Sequence, residues 1–331
     1  MTNMKYLLMT ILSLASFISC GGNTQGKTAD EVDESDKRVV NVPQFDADSA
    51  FYFVKAQVDF GPRTMNSAAH DACGDYLAAK LEQYGAKVYS QRADLPSYEG
   101  KMLRARNIIG AFNPDAKKRV ALFSHWDSRP WADNDPDKSK HYTPILGAND
   151  GASGVGVLLE VARQLQAQAP SIGIDIILLD AEDVGNHRDS GKSDENSWCL
   201  GSQYWARTPH IQGYNARFGI LLDMVGGANA RFLYEYYSEQ YARDINRKVW
   251  KAANSIGYSN YFIAEAGGGA TDDHLFINQI ARIPTIDIIP TSQQYTFFEH
   301  WHTVKDDMDV ITVPTLKAVG QTLLQVIYNE K

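Results

Sequence analysis

Hydrophobic positions along this chain follow two recurring patterns. Apolar residues spaced three and four apart predict helices at residues 48–58, 67–84, 153–168, 201–207, 240–256 and 313–328. Nearly continuous apolar runs, typical of strands buried on both faces, lie at 119–125, 173–180, 217–223 and 282–289. Two further strands are predicted at 86–92 and 104–112, with a loop at 95–101. This alternation predicts a three-layer α/β domain whose mostly parallel central sheet is covered by helices on both faces.

The N-terminus has the pattern of a secretory leader. Lys5 precedes the apolar run 6–18, which is too short to span a membrane as a mature helix. The ending at residues 17–20 also resembles a bacterial lipobox, in which the cysteine, here Cys20, becomes lipid-modified. An ordinary cleaved leader is the alternative. We therefore predict a lipoprotein-type signal peptide at 1–20 and an exported protein, periplasmic or attached to the outer membrane, whose membrane contact is the lipid anchor.

The residues after the leader have little hydrophobic pattern. An acidic stretch at 30–36 is flanked by Gly, Ser and Thr, which predicts a disordered tether over 21–45. Periodic apolar patterning begins after it and continues to the C-terminus without an internal repeat or a second linker. The predicted organisation is therefore one folded domain over 46–331.

The composition limits the partners and the metal ligands that this chain can use. The formal net charge is −8, which argues against nucleic acid as a partner because phosphate binding needs a basic face. After Cys20 only Cys73 and Cys199 are left, and their spacing leaves open whether they pair. No Cys-x-x-Cys occurs, so a metal site in this chain must use His, Asp and Glu.

Polar residues follow four of the predicted buried strands. These endings are His125-Trp126-Asp127, residues 180–183, Asp223, and the loop that carries His300 and His302. In open α/β sheets, ligands bind beyond the carboxyl ends of the strands. One such ending alone would be an ordinary solvated strand end, but four together indicate a functional site at this edge.

Two loops are expected to bring further carboxylates to the same edge. The Gly-rich loop 147–154 holds Asp150, and it lacks the Lys-Ser/Thr pair of a phosphate-binding loop. A carboxylate in a tight glycine turn instead suits a metal ligand. Asp272 follows the flexible stretch 266–270, and His274 is expected to support its loop.

The neighbouring carboxylates Glu182 and Asp183 are the most informative pair. One member of such a pair can bind a metal while the other stays free as a general base. Two exposed acids at a strand end are the competing interpretation, and the other polar strand endings weigh against it.

An ordered set of motifs resembles the zinc aminopeptidase-like family. The set comprises Asp150 in GANDGASG, Glu182-Asp183 in LLDAEDVG, Asp223 in LLDMVG, Asp272-Asp273-His274, and Trp301-His302-Thr303. It covers about residues 50 to 330 and implies the three-layer fold and bound zinc. Within the family, Trp301 before His302, Trp198 and the insert 128–146 resemble the bacterial glutaminyl cyclases, which turn an N-terminal glutamine into pyroglutamate.

The resemblance implies a role for each motif residue. Asp150, Asp183 and His302 are the implied ligands of one zinc ion. The implied general acid/base is Glu182, in a proton network with Asp272 and Asp223, and the implied substrate pocket is formed by Trp198, Phe297 and Trp301. Peptides or proteins with N-terminal glutamine are the implied partners, and the chain is expected to be a monomer.

Two alternatives stay open at this point. His125, Asp150 and Asp223 can supply a second metal site, which would make the protein a two-zinc aminopeptidase that releases N-terminal residues. For His125 the sequence leaves open a ligand or a structural role. The other alternative is a surface binding lipoprotein with a degenerate enzyme fold. It predicts lost ligands, whereas the implied ligands and Glu182 are all present.

Overall fold

A six-stranded mixed sheet organises the described residues, which are 40–294 and 296–331 of the computed structural model. The strands are β1 (Lys87–Pro96), β2 (Met102–Phe112), β3 (Arg119–His125), β4 (Gly173–Leu179), β5 (Gly219–Leu222), β6 (Phe232–Tyr234), β7 (Phe262–Ala266) and β8 (Thr285–Ile288). The sheet order is β1-β2-β4-β3-β5-β8, and β6 pairs with β7 separately. The pairs β4–β3, β3–β5 and β5–β8 are parallel, and the hairpin β1–β2 continues the sheet antiparallel to β4.

Eight α-helices surround the sheet in the described part of the chain. They are α1 (Ala47–Val58), α2 (Ala68–Gln83), α3 (Ala152–Ala167), α4 (Leu200–Arg207), α5 (Tyr236–Tyr241), α6 (Arg243–Ser255), α7 (Asp273–Phe276) and α8 (Val313–Asn329). The single helix predicted at 240–256 is wrong at its start. Residues 240 and 241 end α5, and Ala242 leaves the helical conformation and separates α5 from α6. The loop predicted at 95–101 begins later, since β1 extends to Pro96.

The sheet buries both of its faces. Along β3, Val120 and Leu122 belong to a large core shared with α1, α2, α3, α6 and α8. Ala121 and Phe123 point to the other face and pack in a smaller core that includes Trp205 of α4. This alternation follows from the two-residue period of a strand. The predicted three-layer α/β fold is thus confirmed.

Strand register brings the polar strand endings to one edge. In β3, His125 lies beside Leu179, the last residue of β4, and Leu222 at the end of β5 lies beside Ile288 of β8. Because these strands are parallel, the residues that follow each of them emerge at the same edge.

The start of the folded part lies earlier than the sequence predicts. The tether predicted over 21–45 overlaps the described residues 40–45, and Phe45 is fully buried in the large core. Its amide donates to the Gln321 side chain of α8, so this end is fixed on the domain. The predicted leader 1–20, its Cys20 and residues 21–39 lie outside the described residues. None of the described helices combines the length and apolar character that a membrane-spanning segment needs.

We predict that Gly154→Ala destabilises the protein by about 1–3 kcal/mol. In an exposed helix this change would stabilise by about 1 kcal/mol, but Gly154 packs against the sheet. An added Cβ would overlap the Ser124 hydroxyl and lie 2.5 Å from the Leu222 carbonyl oxygen, which is backbone and cannot rotate away. Urea unfolding of both proteins measures the effect. An unchanged or increased free energy of unfolding would contradict this packing.

Candidate active site

Three of the predicted side chains converge at the carboxyl edge of the sheet. His302 Nε2 lies 3.1 Å from Asp183 Oδ1 and 3.5 Å from Asp150 Oδ2. One donor atom from each of the three residues lies within 4.8 Å of the others, and all three side chains are buried. Asp150 Oδ2 and Asp183 Oδ2 have no hydrogen-bond partner among the described residues. Two carboxylates and one imidazole with unsatisfied buried oxygens fit the ligand preference of zinc.

Asp150 is held by the glycine turn that begins α3. The amides of Asn149 and Asp150 donate to the two carboxylate oxygens of Asp306, at 2.8 and 3.1 Å. Gly151 follows with a φ of +75°, and a Cβ there would lie 2.6 Å from the His125 ring. Glycine is therefore required both for the turn and for the close approach of Asp150 to that ring.

Asp127 anchors the Glu182-Asp183 dipeptide. It is fully buried two residues beyond the end of β3, and its two carboxylate oxygens accept the amide protons of Glu182 and Asp183 at 3.1 and 3.2 Å. The preceding residue, Ala181, is held at a φ of +53°. Strained left-handed backbone of this kind persists only where its surroundings fix it. The position of both acidic side chains is therefore determined by β3 as well as by their own strand.

His302 lies in a turn, and its backbone is also left-handed, with a φ of +55°. Its carbonyl accepts the amide proton of Asn134 at 3.0 Å, which ties this turn to the insert after β3. His300 belongs to the same turn, but it lines a neighbouring cavity of about 700 Å³ and is not one of the three converging residues.

Glu182 lies beside the three converging residues without belonging to them. One potential metal-ligating atom from each of Glu182, Cys199 and Asp272 lies within 4.8 Å of the other two. The Cys199 thiol donates a hydrogen bond to Glu182 Oε1 at 3.3 Å. Burial raises the pKa of Glu182 well above its ordinary value, and the neighbouring Asp183 carboxylate adds to the rise. A carboxyl group with a raised pKa is suited to taking up and returning a proton.

His125 lies between two carboxylates at the base of the site. Its Nε2 atom is 3.0 Å from Asp150 Oδ1 and 3.2 Å from Asp223 Oδ1. Burial alone would lower the pKa of His125, but the surrounding carboxylates of Asp127, Asp150 and Asp223 raise it well above its ordinary value. His125, Asp150 and Asp223 form a second group with donor atoms within 4.8 Å. The described residues therefore offer a second position for a metal ion.

Asp272 is the N-cap of α7 and connects the site to a buried polar network. One oxygen of Asp272 and one potential ligand atom from each of His274 and Asp287 lie within 4.8 Å of one another. His274 Nε2 is 3.0 Å from Glu235 Oε2, and Glu235 in turn accepts the amide proton of Ala270 in the loop before Asp272. Desolvation opposes the charge of Glu235, but His274, together with hydrogen bonds from the amides of Ser238 and Tyr237, lowers the pKa of Glu235 to about 2. His274 thus supports the Asp272 loop from behind.

The site opens into a cavity of about 540 Å³ with aromatic walls. Trp198, Phe297 and Trp301 line it together with the converging residues, Glu182, Asp223 and Asp272. The Trp301 ring stacks on His302 with centroids 4.0 Å apart, and the Trp198 ring lies nearly parallel to His302, with centroids 6.0 Å apart. Gly185 permits this position of Trp198, since a Cβ there would overlap the indole. The structure therefore brings all nine predicted site residues to one cavity.

Some residues of the site were not predicted. Asp127 and Asp306 act through backbone amides, and Arg129 forms a buried ion pair with Asp133 inside the insert 128–146. The two charges lie four residues apart, but that spacing predicts contact only on a helix, and residues 129–133 are not helical. Cys73 and Cys199 are separate buried thiols, which resolves the open question of their pairing.

Comparison with known proteins identifies the family of this chain. Residues 107–327 match the sequence profile of Peptidase family M28, which spans well over half of the chain. The chain belongs to Peptidase family M28. A glutaminyl cyclase of Bacteroides thetaiotaomicron, solved bound to N-acetylhistamine, resembles this M28 chain with 65% identity and a TM-score of 0.87. The match covers 88% of this chain and 100% of that chain.

Two more similar proteins carry different activities in their names. A structure described as a leucine aminopeptidase precursor from Bacteroides thetaiotaomicron has 66% identity and a TM-score of 0.87, covering 88% of this chain and all of that chain. Glutaminyl-peptide cyclotransferase of Bothrops jararaca is 27% identical over 68% of this chain, which spans 65% of that protein's length. The predicted resemblance to bacterial glutaminyl cyclases is confirmed. Membership of M28 and the residue groups imply a zinc-dependent enzyme, with the number of ions left open.

Proposed function

We propose that this protein is a glutaminyl-peptide cyclotransferase, which converts the N-terminal glutamine of peptides and proteins to pyroglutamate and releases ammonia. The observation that carries the proposal is a free, buried glutamate, Glu182, beside three converging ligand-type residues in an aromatic-walled cavity. The similarity to bacterial glutaminyl cyclases supports the same reaction. The reaction is an acyl transfer, because the glutaminyl acyl group passes from the amide nitrogen to the substrate's own amine.

We assign each step of the proposed reaction to a residue. Asp150, Asp183 and His302 would hold a zinc ion, which supplies a Lewis acid toward the substrate's γ-carboxamide oxygen. Glu182 takes a proton from the α-amine as its nitrogen attacks the side-chain carbonyl carbon. A new carbon–nitrogen bond closes the ring, the bond to the amide nitrogen breaks, and Glu182 returns the proton to the departing ammonia. Because closure is intramolecular, folding the side chain back into position accounts for much of the rate.

The surrounding residues shape this chemistry. Asp272 would share the proton network of Glu182, since their carboxylates offer atoms within 4.8 Å of one another. Asp223 would join it through His125, which lies 3.2 Å from Asp223 and 3.8 Å from Glu182, and burial raises the pKa of Asp223 well above its ordinary value. Trp198, Phe297 and Trp301 would enclose the glutamine side chain and exclude water. Excluding water also limits hydrolysis of the γ-amide, which would give glutamate instead of pyroglutamate.

The test is an assay on a peptide with N-terminal glutamine, in which ammonia release is measured and the product is analysed by mass spectrometry. The proposal predicts ammonia and a peptide that keeps all its residues, and a chelator should abolish both. Release of free glutamine with a shortened peptide would contradict it.

A two-zinc aminopeptidase is the second candidate, because His125, Asp150 and Asp223 also lie within metal-binding reach of one another. In that enzyme, Glu182 would activate water for hydrolysis of the first peptide bond. About two zinc ions per chain would favour the peptidase, and about one favours the cyclase.

Export and a lipid anchor at Cys20 also belong to the proposal. The basic residue, short apolar run and lipobox-like ending of residues 1–20 support them. The mass of the mature N-terminus tests both, since an anchored form carries acyl chains on Cys20. A monomer stays the prediction for the oligomeric state.

A further inference from the structure

The insert after β3 contains a buried ion pair that the proposed reaction does not use. Arg129 donates from Nε and Nη2 to the two carboxylate oxygens of Asp133, at 2.8 and 2.6 Å. The two side chains are 1% and 2% exposed. Removing two charges from water is costly, so a buried ion pair is weak support for stability by itself. The pair also contacts two of the proposed metal ligands, which indicates a role at the metal site.

The arginine contacts one of the proposed metal ligands. Arg129 Nη1 lies 3.4 Å from Asp183 Oδ1 and 3.2 Å from the Asp183 carbonyl oxygen. The same guanidinium lies 4.5 Å from the centre of the Trp198 ring. Arg129 therefore fixes the side chain and backbone of Asp183 while it supports the pocket wall.

The aspartate faces a second proposed ligand. Asp133 Oδ1 lies 3.6 Å from Nδ1 of His302, on the ring edge opposite the Nε2 atom that faces Asp150 and Asp183. The next residue, Asn134, donates its amide proton to the His302 carbonyl. A metal-binding histidine commonly directs its other ring N–H to a carboxylate, which fixes the tautomer and the orientation of the ring.

We propose that Arg129 and Asp133 are positioning residues that set the metal affinity of the site, Asp133 through His302 and Arg129 through Asp183. The inference rests on the zinc site of the proposed function. It gives the insert 128–146 a defined role, since one ion pair connects two proposed ligands, Asp183 and His302, that are far apart in the sequence.

A comparable buried ion pair within the sheet, far from the proposed zinc site, supplies the control. Arg119 donates to Asp175 at 2.7 and 2.6 Å, and this pair is also largely buried. Arg119 lies at the opposite end of β3 from His125, about 20 Å away at the rise of a strand. Asp175→Asn should therefore lower stability as Asp133→Asn does, without affecting zinc binding.

The experiment measures zinc affinity of the metal-depleted full chain by competition with a chelator. We expect Asp133→Asn to raise the zinc dissociation constant about 10- to 100-fold and to change the absorption spectrum of the cobalt-substituted protein. Arg129→Lys keeps the charge but cannot reach both carboxylates, so it should weaken zinc binding as well, and it serves if Asp133→Asn does not fold.

Wild-type zinc affinity and cobalt spectra in Asp133→Asn and Arg129→Lys would overturn the proposal, as would an equal loss of affinity in Asp175→Asn. These readouts need no substrate. A wild-type protein that binds zinc without cyclising glutamine would therefore contradict only the proposed function. A protein that cyclises glutamine, with variants of unchanged zinc affinity, would contradict only the positioning roles.

Discussion

Replacing Glu182 by Gln is expected to lower kcat about 100- to 10,000-fold, the range typical for loss of a general acid/base. Glutamine keeps the shape of the side chain but cannot accept the proton of the substrate's amine. Because Glu182 is not one of the three converging residues, zinc content should stay at the wild-type level. Kinetics on a Gln-initiated peptide, with zinc analysis of the same preparation, measure both quantities.

The matched control is Glu195→Gln, which neutralises an exposed carboxylate at the rim of the same cavity. It should leave kcat within about twofold of wild type, since surface changes away from the chemistry are usually small. Turnover by Glu182→Gln near the wild-type rate would mean that another group takes the proton. Loss of zinc in that variant would mean that Glu182 is itself a ligand.

His302→Ala is expected to lose zinc and, with it, at least about 100-fold in activity. Its imidazole is the only nitrogen donor in the group with Asp150 and Asp183. Without it, two buried carboxylates are left to hold the ion, one fewer than the three protein ligands usual at catalytic zinc. Zinc analysis after gel filtration, with and without a mild chelator, measures the loss.

His300→Ala is the control, because His300 belongs to the same turn but lines the neighbouring cavity. It should retain zinc and activity. If His300→Ala lost zinc while His302→Ala kept it, the ligand assignment would be wrong. If neither variant changed zinc content, the ion would have to be held elsewhere.

Much of the fold could be predicted because its central strands are buried on both faces. The apolar runs of β3 and β4 leave few alternatives for those segments, and their parallel pairing explains why the acidic strand endings meet. The short strands β6 and β7 were missed. They pair across about 30 residues, and most of β7 is exposed, so local periodicity carries little signal for them.

The parts of the site on loops were less predictable. The motif residues could be placed because each follows a strand or precedes a helix. Asp127 and Asp306 act by accepting hydrogen bonds from backbone amides, and the sequence does not reveal which amides they contact. The left-handed conformations of Ala181 and His302 likewise depend on tertiary contacts, since left-handed backbone is uncommon in residues other than glycine, even though histidine adopts it more often than alanine.

The central claim is that Asp150, Asp183 and His302 hold one zinc ion while Glu182 stays free. Anomalous diffraction at the zinc absorption edge, from crystals of the protein purified without added metal, tests it most directly. The account predicts a single peak bounded by those three side chains, with the Glu182 carboxylate outside the coordination sphere. No peak at that position, or a peak that Glu182 coordinates, would contradict it.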